Sequence, residues 1–172
     1  PEPVVTSPSA PVDQAPPAPT IPALAVSSVT VNEASPYAMF TVSGQAGQVA
    51  TLSLATGSAG AADFGPTLEV FDGTQWVSYT GQSVVLNAAG RLLVRTPVIN
   101  DGVYEGAETF NLTARNAANQ ASLGTATIRD NGVGDIFKVD GSQDVLSLKD
   151  DDRPLQVTSP VVNEASPYAI FT

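Results

Sequence analysis

The side chains of this chain that can do chemistry are carboxylates, and they are bunched. Glu33 stands in VNEASP, Asp63 in TGSAGAADF, Asn100, Asp101, Glu105 and Glu108 in INDGVYEGAE, and Asp130 and Asn131 in IRDNGVG. Glu33, the INDGVYEGAE group and the Asp130-Asn131 pair fall at the ends of predicted strands, and Asp63 falls in a loop of similar character. In a β-sandwich alternate loops emerge at one end, so acids far apart in sequence can converge there. Carboxylates within about 4–6 Å of one another do not all stay ionised unless a cation compensates them. Oxygen ligands on loops, many of them charged, suit calcium, which takes about six to eight, better than magnesium, which keeps its water. The competing reading of Glu105, Glu108 and Asp63 is an ordinary solvated turn.

The rest of the composition closes other routes. Lys and Arg number 7 against 17 Asp and Glu, a net charge of −10. No basic stripe exists to neutralise phosphates, so no nucleic-acid partner is expected, nor adsorption to an anionic membrane. The chain has no Cys and no His, which argues against structural zinc and against thiol or imidazole catalysis. Two carboxylates can hydrolyse glycosides, but nothing suggests a cleft and no Gly-rich loop precedes a helix; the chain reads as non-enzymatic. No apolar run approaches the ~20 residues that span a bilayer. Pro1 is not a natural start and no signal peptide is visible, so the expectation is a piece of a longer protein.

Short β-branched runs broken by Gly, Asn and Asp predict strands over residues 26–31, 37–42, 49–55, 68–71, 75–79, 92–99, 109–115 and 124–129. Pro36 suggests an edge strand or a bend before the second. Asp72-Gly73 predicts a hairpin whose two central residues both take positive φ. In the seventh run Phe110, Leu112 and Ala114 share one face, and in the eighth Ala126 and Ile128 point inward. No window keeps helical periodicity. The fold class expected is all-β: an immunoglobulin-like antiparallel β-sandwich over residues 24–134.

Residues 1–23 hold 8 of the 14 prolines. They read as a semi-rigid linker reaching about 70 Å, or as a disordered leader. Residues 135–160 read as an acidic inter-domain connector with a hairpin near Asp140-Gly141. Residues 161–172 read as the start of a next repeat, because VNEASPYAIFT over 162–172 matches VNEASPYAMFT over 31–41 at ten of eleven positions, 131 residues apart. That period is a domain in tandem array, since solenoid repeats run roughly 20–50 residues. The last segment is expected to be frayed or paired with another chain's edge.

Taken in order, VNE after the first strand, TGSA…DF after the third, IND…YEGAETF before the seventh and GTATIRDN at the end resemble a Calx-β motif, the calcium-binding sandwich of sodium–calcium exchangers and bacterial surface proteins. The resemblance implies carboxylate ligands from Glu33, Asp63, Asp101, Glu105, Glu108 and Asp130 and a backbone ligand from the Val103 carbonyl. Asn100 and Asn131 stand where calcium-binding members often carry Asp. The long repeat with DDDRP also resembles tandem repeats of giant bacterial adhesins of the RTX type, which implies an extracellular, cell-surface location, a role in adhesion or biofilm, and neighbouring copies of the repeat or surface and matrix ligands as partners. Asp135, Asp150, Asp151 and Asp152 are then candidates for a calcium site at the domain joint. Two other readings stand beside the extender module. One is a self-assembling filament or sheath exchanging strands through 161–172. The other is a carbohydrate-binding module with Trp76, Tyr79 and Tyr104 as a stacking platform. Asn111-Leu112-Thr113 matches a glycosylation sequon inside a predicted strand.

Overall fold

The computed structural model describes residues 20–172; the linker expected over 1–23 lies outside them except for its last residues. Ten strands form: β1 (Ala25–Val26), β2 (Val29–Asn32), β3 (Tyr37–Ser43), β4 (Val49–Thr56), β5 (Leu68–Phe71), β6 (Trp76–Tyr79), β7 (Val84–Val85), β8 (Arg91–Pro97), β9 (Ala107–Arg115) and β10 (Ala121–Arg129). They make two five-stranded sheets, ordered β1-β3-β8-β5-β6 and β2-β10-β9-β4-β7. All pairings are antiparallel except β2 with β10, which run parallel. No helix occurs among the described residues. The all-β sandwich expected from the alternating runs is therefore the fold.

The expected first strand is two strands on two sheets. The break falls at Ser27-Ser28, and each serine anchors the crossing chain to a different sheet. Ser27 Oγ accepts from the Thr41 amide at 2.8 Å, and Ser28 Oγ accepts from the Thr125 amide at 3.0 Å. Gly124 permits the crossing, because a Cβ there would meet the Ser27 carbonyl oxygen at 2.2 Å. The Asp72-Gly73 turn also differs from expectation. Only Gly73 has positive φ (103°). The Asp72 carboxylate accepts from the Thr74 and Gln75 amides at 2.8 and 2.9 Å, so a side chain closes the turn instead of a paired left-handed backbone.

The core lies between the inner faces. Phe110, Leu112 and Ala114 alternate inward from β9, fully buried, with Ala126 and Ile128 beside them from β10. Phe110 stacks on Phe64 at 4.1 Å between centroids and meets Phe40 edge-on at 6.0 Å.

The acidic stretch after β10 packs back on this body. The Asp135 amide donates to the Thr30 carbonyl at 3.0 Å, and the Asn32 amide donates to the Asp135 carbonyl at 2.9 Å. Ile136 is buried, Phe137 packs on the core, and the expected turn at Asp140-Gly141 closes with a Lys138 amide to Ser142 carbonyl bond of 2.8 Å. Arg95 fastens this turn. Its guanidinium lies between the rings of Tyr37 and Trp76, 3.9 and 4.3 Å from their centroids, pairs with Glu69 at 2.6 Å, and donates to the Val139 carbonyl. Arg95→Met keeps the bulk but strands Glu69 and the Val139 carbonyl. It is expected to cost about 2 kcal/mol, read by urea denaturation at constant m-value. A change under about 0.5 kcal/mol would mean the turn is held by packing alone.

Candidate metal centre

Two carboxylate groups meet at the pole where β2 and β10 end. In the first, oxygens of Asp63, Glu105 and Glu108 lie within 4.8 Å of one another; in the second, oxygens of Glu33, Asp150 and Asp152 do. Asp130 links them. Its Oδ2 accepts from the Glu105 and Gly106 amides at 2.5 and 2.9 Å, while its Oδ1 is buried without a partner. Glu33, Asp63, Glu105, Glu108 and Asp130 line a cavity of about 10 Å³, room for one water-sized occupant.

The elements explain the convergence. Glu33 follows β2 directly, held by its amide's bond to the Arg129 carbonyl at 2.8 Å, and Asp130 follows the paired β10. Glu105 and Glu108 flank the start of β9. Asp150 and Asp152 arrive because the chain doubles back: Gly132 and Asp152 donate to the carbonyls of Asp150 and Asp130 at 2.7 and 2.8 Å, with Asn131 bridged antiparallel to Asp151. On an extended segment alternate side chains face the same way. Asp150 and Asp152 therefore face Glu33, and Asp151 turns away to pair with Arg153 at 2.5 Å.

The electrostatics are those of crowded acids. Burial raises the Glu33 carboxyl to about 7, with Asp101, Asp150 and Asp152 adding repulsion. Burial first, then Asp63 and Glu105, likewise raises Glu108 to about 7. Glu105 and Asp152 also shift upward. Five buried side-chain oxygens here accept nothing: Glu33 Oε2, Asp130 Oδ1, Asn131 Oδ1, Asp150 Oδ2 and Asp152 Oδ2. Acceptors only, most of them anionic and removed from water, are the donor set of a hard divalent cation.

Among solved structures the chain is similar to Calx-β domains at low sequence identity. The calcium binding domain CBD12 of CALX1.1 matches at a TM-score of 0.47 and 16% identity, over 63% of this chain and 44% of that one. The apo-form Calx CBD1 domain matches at 0.43 and 16%, over 62% and 96%, and the Calx CBD2 domain at 0.43 and 10%, over 62% and 85%. No protein-family profile and no curated protein matches the chain.

Asp101 stands at the rim of this pole, and the remaining candidates stand farther off. The Asp101 amide donates to Glu33 Oε1 at 3.2 Å, but its own carboxylate closes a turn onto the Gly102 and Val103 amides. Asn100 and Val103 are exposed beside it. The Asp135 carboxylate accepts from Gln143 at 2.7 Å, so its contribution to this pole is backbone. Trp76, Tyr79 and Tyr104 make no platform: Trp76 and Tyr79 lie on opposite faces of β6, the first against Arg95 and the second bonded to the Leu52 amide at 2.8 Å, and Tyr104 is on a separate loop. Asn111 of the sequon is half-buried and bonded to Thr125.

Sequence reasoning passed over Asn32. It is fully buried and ties Asp150 in both directions, its Oδ1 accepting from the Asp150 amide at 2.8 Å and its Nδ2 donating to the Asp150 carbonyl at 3.1 Å. The signal was present in the recurrence of Asn32 as Asn163.

The raised carboxyls set a pH dependence. Without metal the folded state holds extra protons between the unfolded value of 4.5 and about 7 at Glu33 and Glu108. Stability must therefore fall as pH rises through that window and level off above it. We expect a melting temperature in EDTA roughly 4–8 °C lower at pH 7.5 than at pH 5, after allowing for solvent screening of Glu108. A melting temperature that rises over the same window would contradict the crowding.

Proposed function

We propose that this chain is a non-catalytic repeating extender module of a large bacterial cell-surface protein serving adhesion or biofilm cohesion, stiffened by calcium at one pole of its sandwich. What supports the reading is the set of five unpartnered buried oxygens where the exiting chain folds back on the sandwich. Asp63, Glu105, Glu108 and Asp130 would hold one ion; Glu33, Asp130, Asp150 and Asp152 would hold another. The ion would supply positive charge to groups that otherwise repel, and so keep the exit segment on the body. No helix among the described residues is long and apolar enough to cross a membrane.

Calorimetric titration with calcium tests this. Heat from two classes of site is expected, one lost in Glu105→Gln/Glu108→Gln and the other in Asp150→Asn/Asp152→Asn. No heat in the unaltered chain at millimolar calcium leaves a passive spacer.

A further inference from the structure

We infer that the sandwich docks head to tail on a second copy of itself with no free residue between them: Asp152 is the last residue whose backbone bonds to the strands of one body, and Arg153, its side chain held by Asp151, offers the first carbonyl to the next. The inference rests on reading the chain as one unit of a tandem series.

The offset of 131 residues between Asn32 and Asn163 extends beyond the eleven matching positions. It pairs Leu155 with Leu24, which is buried at the start of β1, and Val157 with Val26. The second copy already adopts the first copy's local bonding. The Ala165 amide donates to Asn163 Oδ1 at 2.9 Å as Ala34 does to Asn32 at 3.1 Å, and Ser166 Oγ donates to the Tyr168 carbonyl at 2.9 Å as Ser35 does to Tyr37 at 2.7 Å. The closing pair recurs as well. Thr158 and Thr172 exchange bonds of 2.9 and 2.9 Å where Ser27 and Thr41 exchange bonds of 3.0 and 2.8 Å. Yet Leu155, Val157, Tyr168, Ile170 and Phe171 are all exposed. They carry the opening of a sandwich without its body.

That body is not their own. Leu24 is bonded through its carbonyl to Ser122, at the start of β10, while the Asp152 amide is bonded to Asp130, just past its end. Those poles are eight residues of strand apart, about 26 Å at ~3.3 Å per residue. Three residues from Asp152 to Leu155 reach at most about 11 Å. The segment therefore serves a body beyond the acidic pole. There the same offset pairs Arg153 with Pro22, whose carbonyl accepts from Gln48 Nε2 at 2.6 Å and Asn116 Nδ2 at 2.9 Å. In the next copy that pair of amides takes the Arg153 carbonyl, one residue after the Asp152 anchor. The docking surface is thus the Gln48–Asn116 pole of one sandwich, and its partner is the acidic pole of the copy before it.

The test is the chain extended by a second run of its own residues 42–152, compared with the same protein carrying Gly-Gly-Ser-Gly between Asp152 and Arg153. Hydrogen exchange should show residues 155–172 protected in the extension. NMR relaxation should show both sandwiches tumbling as one body, and the insertion should cut each half's correlation time by about twofold. Unprotected 155–172, or independent tumbling before any insertion in calcium, overturns the inference. Coupling that persists in EDTA upholds the docking while removing the ion's part in it. Calcium heat in the single unit without coupling in the extended chain overturns the docking and leaves the ion sites standing.

Discussion

Asn32→Ala is expected to lower stability by about 4 kcal/mol, roughly 10–15 °C in melting temperature. The amide is fully buried. It donates to the carbonyls of Arg129, Val133 and Asp150 and accepts from the amides of Ala34 and Asp150. Alanine leaves the Val133 carbonyl and the Ala34 and Asp150 amides desolvated and unpaired, while the Arg129 and Asp150 carbonyls keep the Glu33 and Gly132 amides; an unmade buried bond costs about 1–3 kcal/mol. The segment around Asp150 loses its side-chain anchor and keeps only its backbone bonds to Gly132 and Asp130, so the variant should also weaken one class of calcium response. Asn32→Asp separates the effects. It keeps the acceptor, loses the donor, and adds a charge beside Glu33, so it should be weak in EDTA and partly restored by calcium. Urea denaturation with and without calcium reads both. A loss under about 1 kcal/mol for Asn32→Ala would show that the pole stays closed without this amide.

Calcium itself is expected to raise the melting temperature by about 10–20 °C over EDTA. Each site held at a hundredfold excess over its dissociation constant contributes about 2.7 kcal/mol. Glu33→Gln should reverse sign with the ion. In EDTA it removes a buried charge repelled by Asp101, Asp150 and Asp152, so the variant should melt above the unaltered protein. In calcium it lacks an anionic oxygen and should melt below it. Curves that keep the same order in both buffers would mean Glu33 neither suffers repulsion nor meets a cation.

Much of this arrangement was legible along the chain. Phe110, Leu112 and Ala114 alternate without interruption, so β9 and its buried face followed from period two. Glu33, Glu108 and Asp130 stand at the ends of β-branched runs, where a sandwich exposes its loops. What escaped depends on contacts that periodicity does not carry. Ser27 and Ser28 look like any pair in a strand, yet their hydroxyls bond to opposite sheets and divide the run. Asp150, Asp151 and Asp152 look alike in sequence. Only the extended backbone, pinned by one amide of Asn32, turns two of them to Glu33 and gives the third to Arg153. Asp135 was expected among the acids, but its backbone, not its carboxylate, joins this pole.

The parallel pairing of β2 with β10 has a mechanical consequence. Residues 29–32 and 126–129 run side by side in the same direction, so the chain enters near one pole and leaves near the other. Tension applied between Pro22 and Asp152 slides the two strands along each other, straining their rungs together instead of peeling them one at a time. Rupture under pull then demands that the whole ladder fail at once, and the barrier to it lies in the terminal strands while the hydrophobic interior is still intact.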